Sequence, residues 1–165
     1  MLVTMNIHIA EATAHDAPVI LELIRQLAAY EKLADKVTAT EEQLRRTLFG
    51  PRPAAEVLLA SADGATVGYA LFFTTYSTFL AQPGLYLEDL FVKSEARGHG
   101  IGTALLSRLA QLAVERECGR VEWSVLDWNE PSIRFYQSLG AVPLSDWTFY
   151  RLTGEPLAKL AQRRA

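Results

Sequence analysis

A strand that runs through a glycine-rich loop directly into a helix constrains this chain more than any other feature. The apolar residues of 87–92 predict the strand, and those of 101–112 recur at helical spacing. Between them, the loop Arg97-Gly98-His99-Gly100-Ile101-Gly102 contains three glycines, which leave room for a ligand beside the backbone N–H groups. Because a helix N-terminus has unpaired N–H groups and a partial positive charge, the stretch predicts a phosphate-binding site.

Three phosphate-binding patterns can be compared with this loop. A P-loop requires Lys followed by Ser or Thr after its last glycine, but Gly102 is followed by Thr103 and Ala104, so that pattern is excluded. A dinucleotide fingerprint requires Gly-x-Gly-x-x-Gly, and here the third glycine comes one position early. The pattern Arg-x-x-Gly-x-Gly is met by Arg97, Gly100 and Gly102, and it resembles the pyrophosphate loop of the GNAT acyl-CoA N-acetyltransferases. The alternative is an ordinary glycine-rich turn before a helix.

Length and composition predict one globular domain over residues 1–165, with 50% hydrophobic and 21% charged residues. The net charge of −3 gives no support to nucleic-acid binding. The single cysteine, Cys118, excludes an intramolecular disulfide and favours a reducing compartment. No apolar run reaches 18 residues, and the first residues lack the basic region and apolar core of a signal peptide. We therefore expect a soluble cytoplasmic protein that makes no contact with a membrane.

The patterns before the loop predict a strand, two helices and a hairpin. The first helix has two possible starts, at Thr13 or at Asp16. Thr40 with Gln43 three residues on caps the second helix. The expected elements are a strand at 7–9, a helix ending near Tyr30, a helix ended by Gly50-Pro51, antiparallel strands at 57–62 and 67–76 joined at Asp63-Gly64, and a loop at 78–84.

The patterns after the loop predict a parallel strand followed by a closing region. Val121, Trp123 and Val125 alternate as a strand, which the intervening helix should make parallel to the strand at Leu87. Asn129 then caps a further helix. The remaining expectations are the end of that helix at Gly140, strands at 141–144 and 147–152, and a terminal helix at 155–162. These elements give an α/β (α+β) fold, with a mixed, mostly antiparallel central sheet flanked by helices.

Three runs together carry a closer resemblance than the loop alone. The runs 85–92, 97–102 and 128–136, with Tyr30-Glu31, resemble the diamine (spermidine/spermine) N-acetyltransferase branch of the GNAT family. The resemblance spans nearly the whole chain, from about residue 7 to 152. It implies the GNAT fold, acetyl-CoA as co-substrate at the splayed parallel strand pair, and direct acetyl transfer to an amine in a ternary complex. It also implies a homodimer.

The resemblance further implies which residues hold acetyl-CoA. Backbone groups of the central strand would bind the pantetheine arm, and the glycine loop would grip the pyrophosphate. Arg97 would add a fixed positive charge beside it; its alternative is a surface arginine in a loop. The implied set is Leu90, Phe91, Val92, Arg97, Gly98, His99, Gly100, Ile101, Gly102, Thr103, Asn129, Ser132 and Tyr136. His99 is expected to point to solvent.

An alkyl amine with a pKa near ~10.4 attacks only when it is neutral, which at pH 7 is roughly one molecule in a thousand. Glu88 resembles the family residue that orders water to draw off this proton. Strict alternation along the strand would place Asp89 on the opposite face. The alternative is that both acids are strand-end charges. The substrate-binding residues that the resemblance implies are Tyr30, Glu31, Glu88, Asp89 and Trp123, and the tryptophan is equally well explained as a buried anchor.

Tyr136 resembles the family's general acid, which returns a proton to the leaving thiolate. It lies seven residues beyond Asn129, two helical turns along, so both residues should share one helix face. The alternative is an ordinary core tyrosine. The histidines, His8, His15 and His99, have no ligand spacing, so no metal site is expected.

Two other functions stay open: a non-catalytic acyl-CoA-binding or regulatory module, and an N-acetyltransferase that acts on a protein or peptide amine. The presence of both Glu88 and Tyr136 favours an enzyme over the non-catalytic module. The acceptor channel of this enzyme has few acids, because the loop 32–36 has two lysines and one carboxylate, and 76–82 has no acid. We therefore expect a small primary amine with one nearby cation, such as a short diamine or a lysine-like amino acid, and poor use of spermine.

Overall fold

The computed structural model describes residues 5–163 of the chain. The chain divides into two compact units, Met1–Ser124 and Val125–Ala165. The expectation of a single domain over 1–165 stays a prediction.

The first unit contains a five-stranded sheet within its described residues, in the order β1-β2-β3-β4-β5. Neighbouring strands are antiparallel except for β4 and β5, which are parallel and are connected by the helix α3. The elements are β1 Ile7–Glu11, α1 Ala17–Tyr30, α2 Glu41–Phe49, β2 Glu56–Ala62, β3 Ala65–Ser77, β4 Gln82–Val92, α3 Ile101–Glu115 and β5 Val121–Trp123. The predicted fold class is confirmed, including the parallel pair.

Both predicted starts of the first helix are used. The Asp16 carboxylate accepts hydrogen bonds from the backbone N–H of Thr13 at 2.7 Å and from its hydroxyl at 2.9 Å, which closes a short 3-10 turn. The α-helix proper then begins at Ala17, with Pro18 in its first turn, where a missing N–H costs nothing. The second helix has the predicted capping box, because the Thr40 hydroxyl accepts from the Gln43 N–H and the Gln43 amide oxygen accepts from the Thr40 N–H.

Each face of the sheet is covered by helices and has its own apolar cluster. On one face, buried side chains of α3 pack with strand residues in one cluster. This cluster includes Leu105 and Leu109 of α3 and the strand residues Leu58, Phe72, Leu85 and Leu87. On the other face, side chains of α1 and α2 pack with strand residues in a second cluster that includes Ile20, Leu23, Leu44, Val57, Tyr69 and Phe91. The side chains of β4 therefore divide between an α3 face and an α1 face, and this division positions the candidate site.

Two strand predictions need correction in the first unit. The segment 82–84, expected to be loop, is the start of β4, because Gln82 pairs with Ser77 across a tight connection in which Ala81 has φ +52°. The strand expected to reach Val125 ends at Trp123, since β5 pairs with β4 only over three residues.

The second unit contains the helices α4 Glu130–Ser138 and α5 Gly154–Ala161, as predicted within two residues. The expected end of the fourth helix at Gly140 agrees with its φ of +89°. The strands predicted at 141–144 and 147–152 are wrong, because neither segment forms a ladder in the described part of the chain. Apolar composition alone does not make a strand, since each strand needs a partner for its backbone groups.

No helix in residues 5–163 is both long enough and apolar enough to cross a membrane.

The packing of α3 predicts a strong dependence of stability on Leu109, whose side chain is 0% exposed. We expect Leu109→Ala to lower the free energy of unfolding by about 2–5 kcal/mol, because it removes apolar contacts and leaves a cavity. The matched control on the same helix is Val114→Ala, whose side chain is 78% exposed and which should change stability by only about 0.5 kcal/mol. Urea denaturation followed by circular dichroism measures both, and equal effects would contradict the assignment of the core.

Candidate active site

The parallel strands β4 and β5 pair only briefly, which leaves an open strand edge. Three residue pairs join them, from Leu85 with Val121 to Leu87 with Trp123. Beyond Leu87, β4 pairs with β3 alone among the described residues, from Asp89 to Val92. Backbone groups on an unpaired edge can bind an extended ligand in the way that an added strand would. The predicted backbone-binding residues, Leu90, Phe91 and Val92, lie in this part of β4.

The glycine-rich loop leads from β4 into the N-terminus of α3. Gly98 and Gly100 have φ of +80° and +82°, in the left-handed region that glycine adopts without strain. Gly100 is the N-cap residue, so no side chain caps the helix, and the first turn contains no acidic residue. The first intrahelical bond runs from the Ala104 N–H to the Gly100 carbonyl at 2.9 Å, so the N–H groups before Ala104 precede the helix ladder.

The space beside this loop is open as well as positively polarised. A methyl group added at Gly98 or at Gly100 would meet no protein atom within 4 Å. An uncapped helix N-terminus with free space in front of it suits an anion. The residues predicted for pyrophosphate binding therefore fit such a group.

Arg97 connects the loop to the end of β4 and to α1. Its Nε donates a hydrogen bond to the Val92 carbonyl at 2.9 Å. Its guanidinium lies 4.7 Å from the centroid of the Tyr30 ring and 5.7 Å from that of Phe91. These contacts fix the start of the loop. The predicted contact of Arg97 with phosphate stays a prediction.

His99 is exposed but turns back onto its own loop, with Nδ1 2.9 Å from the Arg97 carbonyl oxygen. A carbonyl only accepts, so Nδ1 carries the proton in this contact.

A β-bulge in β4 decides which way the acids point. Leu71 of β3 pairs with Asp89, and the next residue, Phe72, pairs with Leu87, so Glu88 has no partner opposite it. Before the bulge, Leu87 faces α3; after it, Leu90 packs on the same α3 cluster. The alternation of side chains between the two faces of β4 is therefore shifted by one residue after the bulge.

This shift corrects the prediction that Asp89 lies on the face opposite Glu88. Asp89 bonds to Tyr69, which belongs to the α1 cluster together with Phe91. Glu88 follows the α3-facing Leu87 and so also turns to the α1 face. Both acids therefore lie on the α1 face of the sheet, where Glu88 is exposed and Asp89 is partly buried.

Burial and charge together set the ionisation of the site. Burial raises the pKa of Asp89, and the neighbouring Glu88 raises it further, whereas the hydrogen bond from Tyr69 opposes this rise. Partial burial also raises the pKa of Glu31, with an added contribution from the charge of Asp89. Glu31 follows α1, so acids from two elements act on each other here. Such a cluster becomes more favourable when a cation joins it.

Tyr69 is the site residue that the sequence analysis missed. Its side chain is 0% exposed, and its hydroxyl donates to Asp89 Oδ2 at 2.8 Å. Burial and the adjacent carboxylates raise the pKa of Tyr69 far above its ordinary value, so the hydroxyl remains a donor. A tyrosine in an apolar strand signals a polar group in need of a partner. Its partner is known only once the register of β3 on β4 is known.

Trp123, predicted to bind substrate, ends β5 and packs against the α3 cluster. This packing agrees with the alternative of an anchor, and its substrate contact stays a prediction.

The remaining predicted residues lie in the second unit, on α4. Asn129 is buried and caps the helix, because its Oδ1 accepts from the Ser132 N–H at 3.4 Å. Tyr136 is partly buried, two turns further along the helix, with its ring centroid 5.5 Å from that of Phe135. The cap and the helix are as predicted, and the functional roles of these residues stay predictions.

Within residues 5–163, no group of three or more His, Cys, Asp or Glu side chains is arranged to hold a metal ion.

The raised pKa of Asp89 predicts a stability cost at neutral pH. An acid whose pKa is higher in the folded state destabilises the fold when ionised, and the cost disappears as pH falls through that folded-state pKa. We expect Asp89→Asn to raise the melting temperature at pH 7, with a gain that shrinks as pH falls toward the unfolded-state value of about 3.9.

The control for this prediction is Glu95→Gln. Hydrogen bonds from its own backbone N–H and from Ser94 lower the pKa of Glu95, so this substitution should not stabilise the fold at pH 7. Calorimetric melting from pH 7 down to about pH 4, near the unfolded-state value, measures both variants. A gain for Asp89→Asn that is independent of pH would contradict the ionisation argument.

Comparisons with known proteins agree with this geometry. The model of the Acetyltransferase (GNAT) family matches residues 22–141. A thialysine N-epsilon-acetyltransferase of Bos taurus is 40% identical, over 93% of this chain and 96% of that protein. An L-ornithine N5-acetyltransferase of Arabidopsis thaliana is 35% identical, over 88% of this chain and 84% of that protein. Among solved structures, an integron cassette protein of V. cholerae has a TM-score of 0.82 at 29% identity, over 96% of this chain and 99% of that one. The chain therefore belongs to the GNAT family of acetyltransferases.

Proposed function

We propose that the protein transfers the acetyl group of acetyl-CoA to a primary amine of a small molecule with one further cationic group, such as a lysine-like amino acid or a short diamine. One observation carries the proposal: the same five residues of β4, 88–92, bear the acids and the open edge, and they lead into the uncapped N-terminus of α3. A site for an amine and a site for a phosphate-bearing donor thus adjoin along one strand.

The residues that would hold acetyl-CoA are the open edge of β4 and the loop from Gly98 to Thr103. When bound, acetyl-CoA supplies an activated acyl group as a thioester. Asn129 and Ser132, matched by the family motif on α4, are proposed to contact it too. The family match at 22–141 covers parts of both compact units, which supports a proposal that they work as one GNAT domain.

Glu88 and Tyr136 are proposed to handle the two protons of the reaction. Glu88 is exposed at the bulge, where its carboxylate can order water and draw a proton from the acceptor ammonium. Tyr136 would give a proton to the thiolate that leaves. Its support is its place in the motif on α4, seven residues beyond the cap Asn129.

The charges around the site support an acceptor with few cations. Glu31, Glu88 and Asp89 supply negative charge, whereas Asp35 in the loop after α1 already pairs with Lys36 at 2.9 Å. A long polyamine would need more carboxylates to offset desolvation of its ammonium groups. The names of the two relatives, which refer to thialysine and L-ornithine, agree with a lysine-like amino acid.

We further propose a cytoplasmic homodimer. The only support for the compartment is Cys118, which is a free thiol. The support for the dimer is a set of large apolar side chains in the second unit that are between 46% and 92% exposed: Val142, Leu144, Trp147, Phe149, Tyr150 and Leu152. Exposed apolar sets of this kind favour burial against another chain, and these segments join no strand ladder within residues 5–163. A second copy is the occupant that the family resemblance implies.

The helix N-terminus predicts opposite effects of one substitution on stability and on binding. Thr103 is exposed and occupies the third position of α3. An aspartate there should stabilise the free protein by about 0.3–1 kcal/mol, because it complements the helix dipole. The same charge should weaken acetyl-CoA binding at least ~10-fold, because it repels the pyrophosphate. Thr103→Asn is the uncharged control of matched size.

Isothermal calorimetry with acetyl-CoA and thermal melting measure the two effects on the same samples. If Thr103→Asp raises the melting temperature while the acetyl-CoA affinity stays that of Thr103→Asn, the loop is not the pyrophosphate site.

Thiol release from acetyl-CoA over a panel of amines tests the reaction and the acceptor together. We expect the highest kcat/KM for thialysine, ornithine or a short diamine, and at least ~10-fold lower values for spermine and for a peptide amine, a gap of about 1.4 kcal/mol in transition-state binding. A ~10-fold preference for spermine would contradict the acceptor assignment. Absence of thiol release with every amine would contradict the enzyme itself and favour an acyl-CoA-binding module.

A further inference from the structure

The Tyr69 hydroxyl makes a contact that neither packing nor the catalytic steps above account for. Tyr69 is 0% exposed, yet it donates a 2.8 Å hydrogen bond to Asp89 Oδ2. Within residues 5–163 it is the one hydrogen-bond donor to that carboxylate. A phenylalanine would fill the same apolar space without a polar atom to satisfy, so the hydroxyl needs a separate explanation.

The strand register fixes where this hydroxyl points. Tyr69 pairs with Phe91 across the β3–β4 ladder, and Leu71 pairs with Asp89, so Tyr69 and Asp89 are diagonal neighbours. The ring belongs to the buried cluster under α1 and α2, with Ile20 and Leu23. A ring held on all sides by packing has little freedom to move its hydroxyl. Tyr69 is therefore a donor that packing holds in place against the Asp89 carboxylate.

The acid that receives the bond lies among like charges. Its neighbours are Glu88 on the same strand and Glu31, which follows α1. Burial and the charge of Glu88 raise the pKa of Asp89, and the hydrogen bond from the Tyr69 hydroxyl lowers it. With Oδ2 held by the tyrosine, Oδ1 is the oxygen left to accept from a ligand.

We propose that Tyr69 is a positioning residue for acceptor binding: its buried hydroxyl holds Oδ2 of Asp89 and turns Oδ1 toward an ammonium group that Glu31 also binds. The inference rests on the proposed function, because it names the residue that prepares the amine site of that reaction. One oriented carboxylate oxygen and one partner acid suit a single ammonium group. The Tyr69 hydroxyl thus affects binding of the acceptor amine and has no effect on binding of the acyl donor.

The test compares Tyr69→Phe with Tyr86→Phe. Tyr86 lies on β4 and donates to the Ser124 hydroxyl at 3.1 Å, so its variant also loses one hydroxyl from the same sheet without touching a carboxylate. For Tyr69→Phe we expect KM for the amine to rise about tenfold, with kcat within about twofold and unchanged acetyl-CoA affinity. Tyr86→Phe should keep the wild-type KM. Melting temperatures confirm that both variants are folded.

The pH profile gives a readout that loss of packing would not move. The groups that face Asp89 are Tyr69 from β3, Glu88 from β4 and Glu31 after α1. Removal of the hydroxyl takes away the one contribution that lowers the pKa of Asp89, so the acid should protonate at higher pH. The acidic limb of kcat/KM should therefore move to higher pH in Tyr69→Phe and stay in place in Tyr86→Phe.

A double-mutant cycle with Asp89→Asn shows whether Tyr69 acts through Asp89. If it does, Tyr69→Phe raises KM in the wild-type background and has little further effect in the Asp89→Asn background. Additive effects, an unchanged KM, or an unshifted acidic limb would each overturn the inference. These results are distinct from failure of the proposed function, which would appear as absence of amine-dependent thiol release in the wild-type protein.

Discussion

One extra residue in β4 sets the arrangement of the whole site. Without the bulge at Glu88, strict alternation from Leu87 would turn Asp89 into the α3 cluster, where it would be buried among leucines. With the bulge, β4 keeps Leu87 and Leu90 in that cluster and gives two consecutive acids to the other face. The end of β4 can thus keep its apolar side chains in the core on one face and present two carboxylates on the other.

The cost of this arrangement falls on Asp89. A partly buried carboxylate beside a second acid destabilises the free protein when it is ionised, and a hydrogen bond offsets only part of that cost. Such strain is common where a site is prepared for a charge that arrives with its ligand. The Tyr69–Asp89 contact is therefore better explained as preparation for binding a cation than as an interaction that stabilises the fold.

Much of the fold could be predicted from local patterns, and the misses have one physical origin. Capping at Thr40, the turn at Gly64 and the helix after Gly100 depend on residues within a few positions of each other. The bulge at Glu88 and the partner of Tyr69 depend on how β3 aligns with β4, which no local pattern records.

The same reason explains the mistaken strands in the second unit. Segments 141–144 and 147–152 are rich in apolar and aromatic residues, but a strand also needs a neighbour, and none of the described residues pairs with them in a ladder. The glycine loop was recognisable for the opposite reason, since its function lies in its own backbone. A site formed by one contiguous stretch, such as the glycine loop, could be predicted from the sequence. A site formed by two paired strands, such as the Tyr69–Asp89 contact, could not.

Arg97 connects the glycine-rich loop to both α1 and β4. It begins the loop that would hold phosphate, yet its guanidinium rests on Tyr30 and its Nε bonds to the end of β4 at Val92. Tyr30 is the last residue of α1 and immediately precedes Glu31, an acid of the proposed acceptor site. The position of the loop and that of Glu31 are thus connected through one cation–π contact. Because Arg97 also bonds to β4, the strand that carries Glu88 and Asp89, the proposed donor and acceptor sites are connected to one strand.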